Sequence, residues 1–144
     1  MLKYRYALSN RYKIINKYME ERKKILIAED EEPLRKALVE KFEGKIFKTV
    51  EAGDGVTALE RALSEKPDLI ILDIIMPGMG GMFMLKKLRK DDWGKNIPVI
   101  FLTNLSADDR IIQDVTETNP TYYFVKTEIN LSGLYDKVKE LLKV

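Results

Sequence analysis

The sequence predicts an α/β fold in which a parallel sheet carries helices on both faces. Between residues 24 and 144, five short apolar runs alternate with five segments that have helical spacing. No internal repeat or long linker interrupts this alternation. The run at residues 69–72 is apolar at every position, which is typical of a parallel strand buried on both faces.

The first half of this region contains two strands and two helices. A strand at residues 24–28 ends in four consecutive acids, residues 29–32, and Pro33 suits the first turn of the helix that follows. A second strand is predicted at residues 46–52. The turn at residues 53–55 caps the next helix, which stops before the following proline.

The second half repeats the same alternation. Its strands are predicted at residues 69–72, 97–102 and 122–125, and its helices near residues 83–88, 106–115 and 131–142. A capping box at residues 106–109 opens the middle helix. Each of the three strands is followed by a polar residue, namely Asp73, Thr103 or Lys126.

The composition excludes several kinds of chemistry. The 144 residues are 45% hydrophobic and 33% charged, which is enough for one buried core and predicts a single domain. No apolar run approaches the length of a membrane span or of an export signal, so we expect a soluble, cytoplasmic protein. The chain has neither His nor Cys, which excludes Ser-His-Asp and Cys-His nucleophile pairs and zinc bound through those residues.

Residues 1–23 form a basic, tyrosine-rich arm outside the α/β pattern. Residues 1–24 contain eight Lys or Arg and two Glu, a balance of +6, whereas the other 17 bases and 21 acids give −4. Apolar spacing of three or four predicts an amphipathic helix at about Ser9 to Lys23, capped by Ser9 or Asn10. Three roles stay open for the arm: packing on its own domain, self-association into a homodimer, and contact with nucleic acid or a membrane.

The polar residues that follow the strands should form one site. In a parallel sheet all strands end at the same edge, which brings together Glu29, Asp30, Asp73, Thr103 and Lys126. Three neighbouring carboxylates raise one another's pKa unless a cation joins them, and Mg²⁺ prefers oxygen ligands. An ammonium and a hydroxyl beside such a site suit a phosphoryl group, so Asp73 as nucleophile would form an aspartyl phosphate.

Residues 24–144 resemble the receiver domain of two-component response regulators. The resemblance is carried by the motifs ILIAED at 25–30, LDIIMPGMGG at 72–81, IPVIFLT at 97–103 and YFVK at 123–126. It implies a flavodoxin-like five-stranded sheet with strand order 2-1-3-4-5. It also implies that Asp73 accepts phosphate from a histidine kinase or a histidine phosphotransfer protein, and that the domain then switches a face that binds a downstream protein.

The resemblance also implies a role for each site residue. The ligands of Mg²⁺ would be Glu29, Asp30, Asp73 and the backbone carbonyl of Ile75. Lys126 would pair with the phosphoryl oxygens, and Thr103 and Tyr123 would form the switch. Such a domain is a phosphoacceptor rather than an enzyme, although self-phosphorylation from small phosphodonors and slow self-dephosphorylation lie within its chemistry.

Several positions depart from the common receiver pattern. Thr127 follows Lys126 where the family commonly has a cis proline. A cis bond before a non-proline residue costs roughly 2.5–4 kcal/mol, so we expect a trans bond and a shifted Lys126 loop. Asn104 narrows the access to the phosphoacceptor. Ile75 and Leu105 are apolar where receivers often place polar side chains that orient or block the hydrolytic water, which predicts a long-lived phosphoryl group.

Two alternatives to a phosphorylated receiver stay open. One is a degenerate receiver that binds partners without being phosphorylated. The other is a phosphatase that works through an aspartyl phosphate, although Ile75 occupies the position where such enzymes usually place a general acid. The chain ends directly after the last predicted helix, so we expect no DNA-binding or enzymatic output domain in it. It is either a stand-alone receiver or a piece of a longer regulator.

Overall fold

The sheet has the predicted topology. The computed structural model describes residues 1–104 and 120–144. All strand pairs are parallel, and their order is β2-β1-β3-β4-β5, as in the flavodoxin-like prediction. The strands are β1 (Lys23–Ala28), β2 (Phe47–Ala52), β3 (Leu69–Asp73), β4 (Val99–Thr103) and β5 (Tyr122–Val125).

Among the described residues, four helices cover the two faces of this sheet and a fifth precedes β1. Within the described residues they are α1 (Leu2–Glu20), α2 (Glu32–Phe42), α3 (Gly55–Glu65), α4 (Gly81–Leu88) and α5 (Leu131–Leu142). One face packs against α2 and α5, and the other packs against α3 and α4. The helix predicted to open at residues 106–109 lies outside the described residues.

The continuous apolar runs of the sequence follow from this two-sided packing. Every residue of β3 is buried, and successive residues point to opposite faces. Ile71 packs in the cluster beneath α2 and α5, whereas Ile70 and Leu72 pack in the cluster beneath α3 and α4. The strand therefore needs apolar side chains on both faces, and its last residue, Asp73, is carried to the edge of the sheet.

Local sequence signals account for the helix starts around the site. Pro33 occupies the first turn of α2, where the missing backbone N–H costs nothing. The Asp54 carboxylate accepts a hydrogen bond of 2.8 Å from the backbone N–H of Thr57, which caps α3 as predicted.

The amino-terminal helix differs from its prediction. α1 begins at Leu2 and ends at Glu20, so the predicted start at Ser9 is wrong. The reason is that the apolar spacing continues upstream through Tyr4 and Leu8, which leaves Ser9 in the middle of a helix rather than at its cap. Residues 1–21 are all exposed, so α1 does not pack on the part of its own domain that the structure describes. Nowhere in residues 1–104 or 120–144 is there a helix that is both long and apolar enough to span a membrane.

Candidate functional site

Three carboxylates meet at the carboxyl edge of the sheet. Asp73 ends β3, and Glu29 and Asp30 directly follow the neighbouring strand β1. Ala28 pairs with Leu72 in the parallel register, so the residues that come next lie at the same level of the edge. As a result, carboxylate oxygens of Glu29, Asp30 and Asp73 all lie within 4.8 Å of one another.

Lys126 supplies positive charge to this cluster from the edge strand β5. Its Nζ lies 2.8 Å from Oδ2 of Asp73 and 2.8 Å from Oε2 of Glu29. Oε1 of Glu31 is further away, at 3.6 Å. The side chains of Lys126, Glu29 and Asp73 are 8%, 1% and 4% exposed, so these two close ion pairs are buried. A single ammonium thus faces two buried carboxylates.

The titration of the cluster reflects mainly the burial of its acids. Burial, together with the charge of Asp73, raises the pKa of Glu29 to about 7 against the opposing hydrogen bond from Lys126. Burial also raises the pKa of Asp73, although Lys126 and the backbone N–H of Ile75 favour its ionised form. Burial lowers the pKa of Lys126, but its hydrogen bonds to the two acids outweigh that effect and raise it overall. An additional cation at this edge would favour the ionised forms of Glu29 and Asp73 and lower their pKa values.

A small cleft gives solvent access to the phosphoacceptor candidate. Its volume is about 150 Å³, and it is lined by Asp30, Glu31, Asp73, Ile75, Thr103, Asn104 and Lys126. Asp73 is only 3% exposed, which leaves one narrow approach to its carboxylate. Thr103, the last residue of β4, is fully buried in the cleft wall. Four strands thus contribute to one opening of about the size of a small oxyanion.

The comparison with known families decides how this arrangement is classified. The sequence model described as the response regulator receiver domain matches residues 25–139. The chain belongs to this family. Receivers are signalling domains of two-component systems. α1 lies before the first residue that the family model matches.

Individual relatives agree with this assignment. Sporulation initiation phosphotransferase F of Bacillus subtilis is 35% identical over 119 residues, which cover 83% of this chain and 93% of that protein. Response regulator PleD of Caulobacter vibrioides is 38% identical over 89 residues, 61% of this chain but only 20% of PleD. The structure of the Francisella response regulator 1452 receiver domain superposes with a TM-score of 0.75 at 30% identity, covering 84% of this chain and 97% of that chain.

Two residues that the sequence analysis missed shape the receiver's site. A Cβ at Gly81 would overlap the carbonyl oxygen of Asp73, so only glycine lets α4 begin directly against the end of β3. The Arg35 guanidinium donates a 2.8 Å hydrogen bond to the carbonyl oxygen of Glu29 and lies 3.4 Å from the carboxylate of Glu51. The glycine-rich turn was visible in the sequence, whereas the bond from Arg35 back to the acidic loop has no sequence signal.

The predicted switch residues share one face of the sheet. Tyr123 pairs with Phe101 and packs against the core beneath α3 and α4, where burial raises the pKa of its phenol. Thr103 follows Phe101 by two positions on β4 and therefore points to the same face. The threonine of the cleft and the tyrosine are thus neighbours across two adjacent strands.

The peptide bond after Lys126 agrees with its prediction, whereas the shift of the Lys126 loop stays a prediction. None of the described peptide bonds is cis, so the predicted trans bond between Lys126 and Thr127 is confirmed. The trans bond does not prevent Lys126 from reaching Asp73. Ile75, at 58% exposure, stands at the lip of the cleft, and its backbone N–H donates a 3.1 Å hydrogen bond to Oδ1 of Asp73.

Proposed function

We propose that this receiver accepts a phosphoryl group on Asp73 from the phosphohistidine of a histidine kinase or a histidine phosphotransfer protein. The proposal rests on one observation: the Asp73 carboxylate lies 2.8 Å from the Lys126 ammonium at the floor of an open cleft. In the transfer, a carboxylate oxygen of Asp73 bonds to phosphorus while the bond from phosphorus to the donor's imidazole nitrogen breaks. We include a cytoplasmic location in the proposal, as the sequence leads us to expect.

The acid cluster fits Mg²⁺. Its side-chain donors are all carboxylate oxygens within 4.8 Å of one another, and the two buried acids, Glu29 and Asp73, share the single ammonium of Lys126. The residues that would hold the ion are Glu29, Asp30, Asp73 and the backbone carbonyl of Ile75. When bound, Mg²⁺ would neutralise negative charge on the transferring phosphoryl group.

The neighbouring switch residues provide the signalling step. Phosphoryl oxygens on Asp73 would attract the hydroxyl of Thr103 and the ammonium of Lys126, which already lies 2.8 Å from the Asp73 carboxylate. The contacts to the phosphoryl oxygens would exist only in the phosphorylated state. Because they favour one arrangement of the domain over another, phosphorylation shifts the population toward that arrangement. Tyr123, on the same face as Thr103, would follow by turning inward, and the face that includes β5 and α5 would present the change to a downstream protein.

The direct test is phosphorylation by a small phosphodonor. Wild-type protein incubated with Mg²⁺ and acetyl phosphate should gain the mass of one phosphoryl group in intact-mass analysis. Asp73→Asn should gain none. Asp92→Asn is the matched control, since the Asp92 side chain is fully exposed and should be modified like wild type.

The alternative of a degenerate receiver makes the opposite forecast. A wild-type chain that is folded by circular dichroism, yet stays unmodified with acetyl phosphate and with several histidine kinases, would overturn the proposal. Modification of Asp73→Asn at the wild-type rate would equally overturn it, because the acceptor would then be another residue. Chelation of Mg²⁺ with EDTA should abolish the mass gain if the acid cluster holds the ion.

A further inference from the structure

The helix before the receiver domain leaves a large apolar surface uncovered. Of the sixteen large apolar side chains that are exposed among the described residues, ten belong to residues 1–19. None of the residues in α1 is buried. An isolated helix of this length is marginal in water, because most helical stability comes from packing of one face. α1 therefore needs a partner that the described residues of the receiver domain do not provide.

Six of the large apolar side chains of α1 lie along one face, at steps of three or four residues. We call the following residues the front face: Tyr4, Leu8, Tyr12, Ile15, Tyr18 and Met19. The opposite side carries Lys3, Ser9, Lys13, Asn16 and Lys17, together with the exposed Tyr6 and Ile14. Most of the large apolar side chains thus share the front face, which is the face that would pack against another helix.

The front face continues into a groove at the base of α1. The groove has a volume of about 750 Å³ and is lined by Ile15, Tyr18, Met19, Arg22, Gly44 and Lys45. Arg22 holds this junction in place, since its guanidinium donates hydrogen bonds to the Glu43 carboxylate at 2.8 Å and to the Gly44 carbonyl at 3.0 Å. The carboxyl half of the front face thus forms one wall of a concave site, and the domain forms the other.

We infer that α1 pairs with α1 of a second copy of this chain, in antiparallel orientation. Charge favours this orientation, because residues 1–21 carry their only two acids, Glu20 and Glu21, at the carboxyl end, where Lys17 lies 3.9 Å from Glu21. Antiparallel pairing brings this end near the basic amino end of the second copy, whereas parallel pairing places the two basic amino ends side by side. The two helix dipoles also oppose each other favourably in the antiparallel pair.

The pairing seats each amino terminus in the groove of the other copy. Along the front face, a register that places Tyr4 against the partner's Ile15 also brings Met1 beside the partner's Tyr18. Three tyrosines that can each bury about 150–250 Å², together with the aliphatic side chains, reach roughly the 800 Å² per partner of a standard stable interface. The available surface is therefore sufficient for a stable dimer.

A lipid surface is the other partner that an amphipathic basic helix can take, and the front face fits it less well. Residues 1–20 contain no Phe or Trp, the side chains that anchor such helices in lipid. Arg11 lies in the middle of the front face, where membrane insertion would bury its charge. In the helix pair the same guanidinium can stack on a tyrosine ring of the second copy.

The first test is the oligomeric state of the full chain. Light scattering over a concentration series should give twice the chain mass of 16.7 kDa for wild type. Leu8→Glu combined with Ile15→Glu should give the monomer mass. The matched control, Ser9→Glu with Asn16→Glu, adds the same charge one position along the helix and should stay dimeric. A monomeric wild type overturns the inference, as does a front-face double variant that stays dimeric.

Two further measurements separate the outcomes. Because the chain has no cysteine, purified Tyr4→Cys and Ile15→Cys can be mixed and mildly oxidised. Disulfide formation between the two variants and not within either alone supports the antiparallel register, and the reverse result overturns it. Wild type that is monomeric but co-sediments with vesicles of anionic and neutral phospholipid shows a membrane helix instead. The inference does not depend on Asp73, and the thermal unfolding of the domain should be unchanged in the front-face variant.

Discussion

Replacing Glu29 by Gln should stabilise the receiver above neutral pH. Burial raises the pKa of this carboxyl from 4.5 to about 7, so in this interval the folded protein keeps a proton that the unfolded chain has lost. The neutral carboxyl is the form that the fold tolerates. The contribution of the protonated Glu29 to the free energy of unfolding is complete below pH 4.5 and is lost as the pH rises through about 7.

The structure sets the size of this effect. The interval from 4.5 to about 7 is about 2.5 pH units, which corresponds to about 3 kcal/mol at 1.36 kcal/mol per unit. Glu29 is 1% exposed, so solvent screens little of this cost. Gln keeps the shape and stays neutral at every pH. The free energy of unfolding of Glu29→Gln should therefore equal that of wild type at pH 4.5. Above pH 7 it should exceed that of wild type by at most about 3 kcal/mol.

Urea denaturation in EDTA, repeated from pH 4.5 to above pH 7, measures this difference. Glu60→Gln on the exposed side of α3 is the matched control and should follow wild type at every pH. A difference between Glu29→Gln and wild type that does not change with pH would refute the reasoning. A variant less stable than wild type above pH 7 would show that the ion pair with Lys126 outweighs the cost of burial.

Three further predictions concern the turn at the site, a helix cap and the phosphoryl group. Gly81→Ala should lower the free energy of unfolding by about 1–3 kcal/mol in urea denaturation, because the new methyl overlaps the Asp73 carbonyl. Gly44→Ala is the control and should cost less, because a Cβ at Gly44 would have one backbone atom near it, at 4.0 Å. Asp54→Ala removes the cap of α3 and should cost about 1 kcal/mol; an unchanged unfolding midpoint would contradict the assigned cap. Polar replacements at positions 75 and 105 should shorten the phosphoryl half-life, followed by loss of the added mass; position 105 lies outside the described residues, so this prediction rests on the sequence.

The sheet and the convergence of the acids could be predicted because both follow from short-range patterns. β3 is apolar at four successive positions, which only burial on both faces explains, and Asp73 comes next. Once the strands are parallel, residues that follow them must meet at one edge, however distant they are in the chain. The trans bond after Lys126 was predictable for an equally local reason, since the next residue is not proline.

The remaining features depend on contacts through space. The sequence suggests Ser9 as a helix cap, but the cap signal is weaker than the apolar spacing that continues upstream of it. The hydrogen bond from Arg35 to the carbonyl of Glu29 arises from the way the first turns of α2 fold back over the acidic loop. Lys126 was expected to face phosphoryl oxygens, and its second buried partner, Glu29, could not be foreseen from spacing.

The position of Lys126 after the last strand has a consequence for how the protein is made. Residues 29 and 73 leave the ribosome long before residue 126, so the nascent chain carries both acids without the ammonium that lies 2.8 Å from each of them in the finished fold. The acidic edge is therefore assembled only after β5 and Lys126 have been synthesised. A product truncated before β5 would expose Asp73 without its basic partner and would leave β4 as an unpaired sheet edge, which quality-control proteases can recognise.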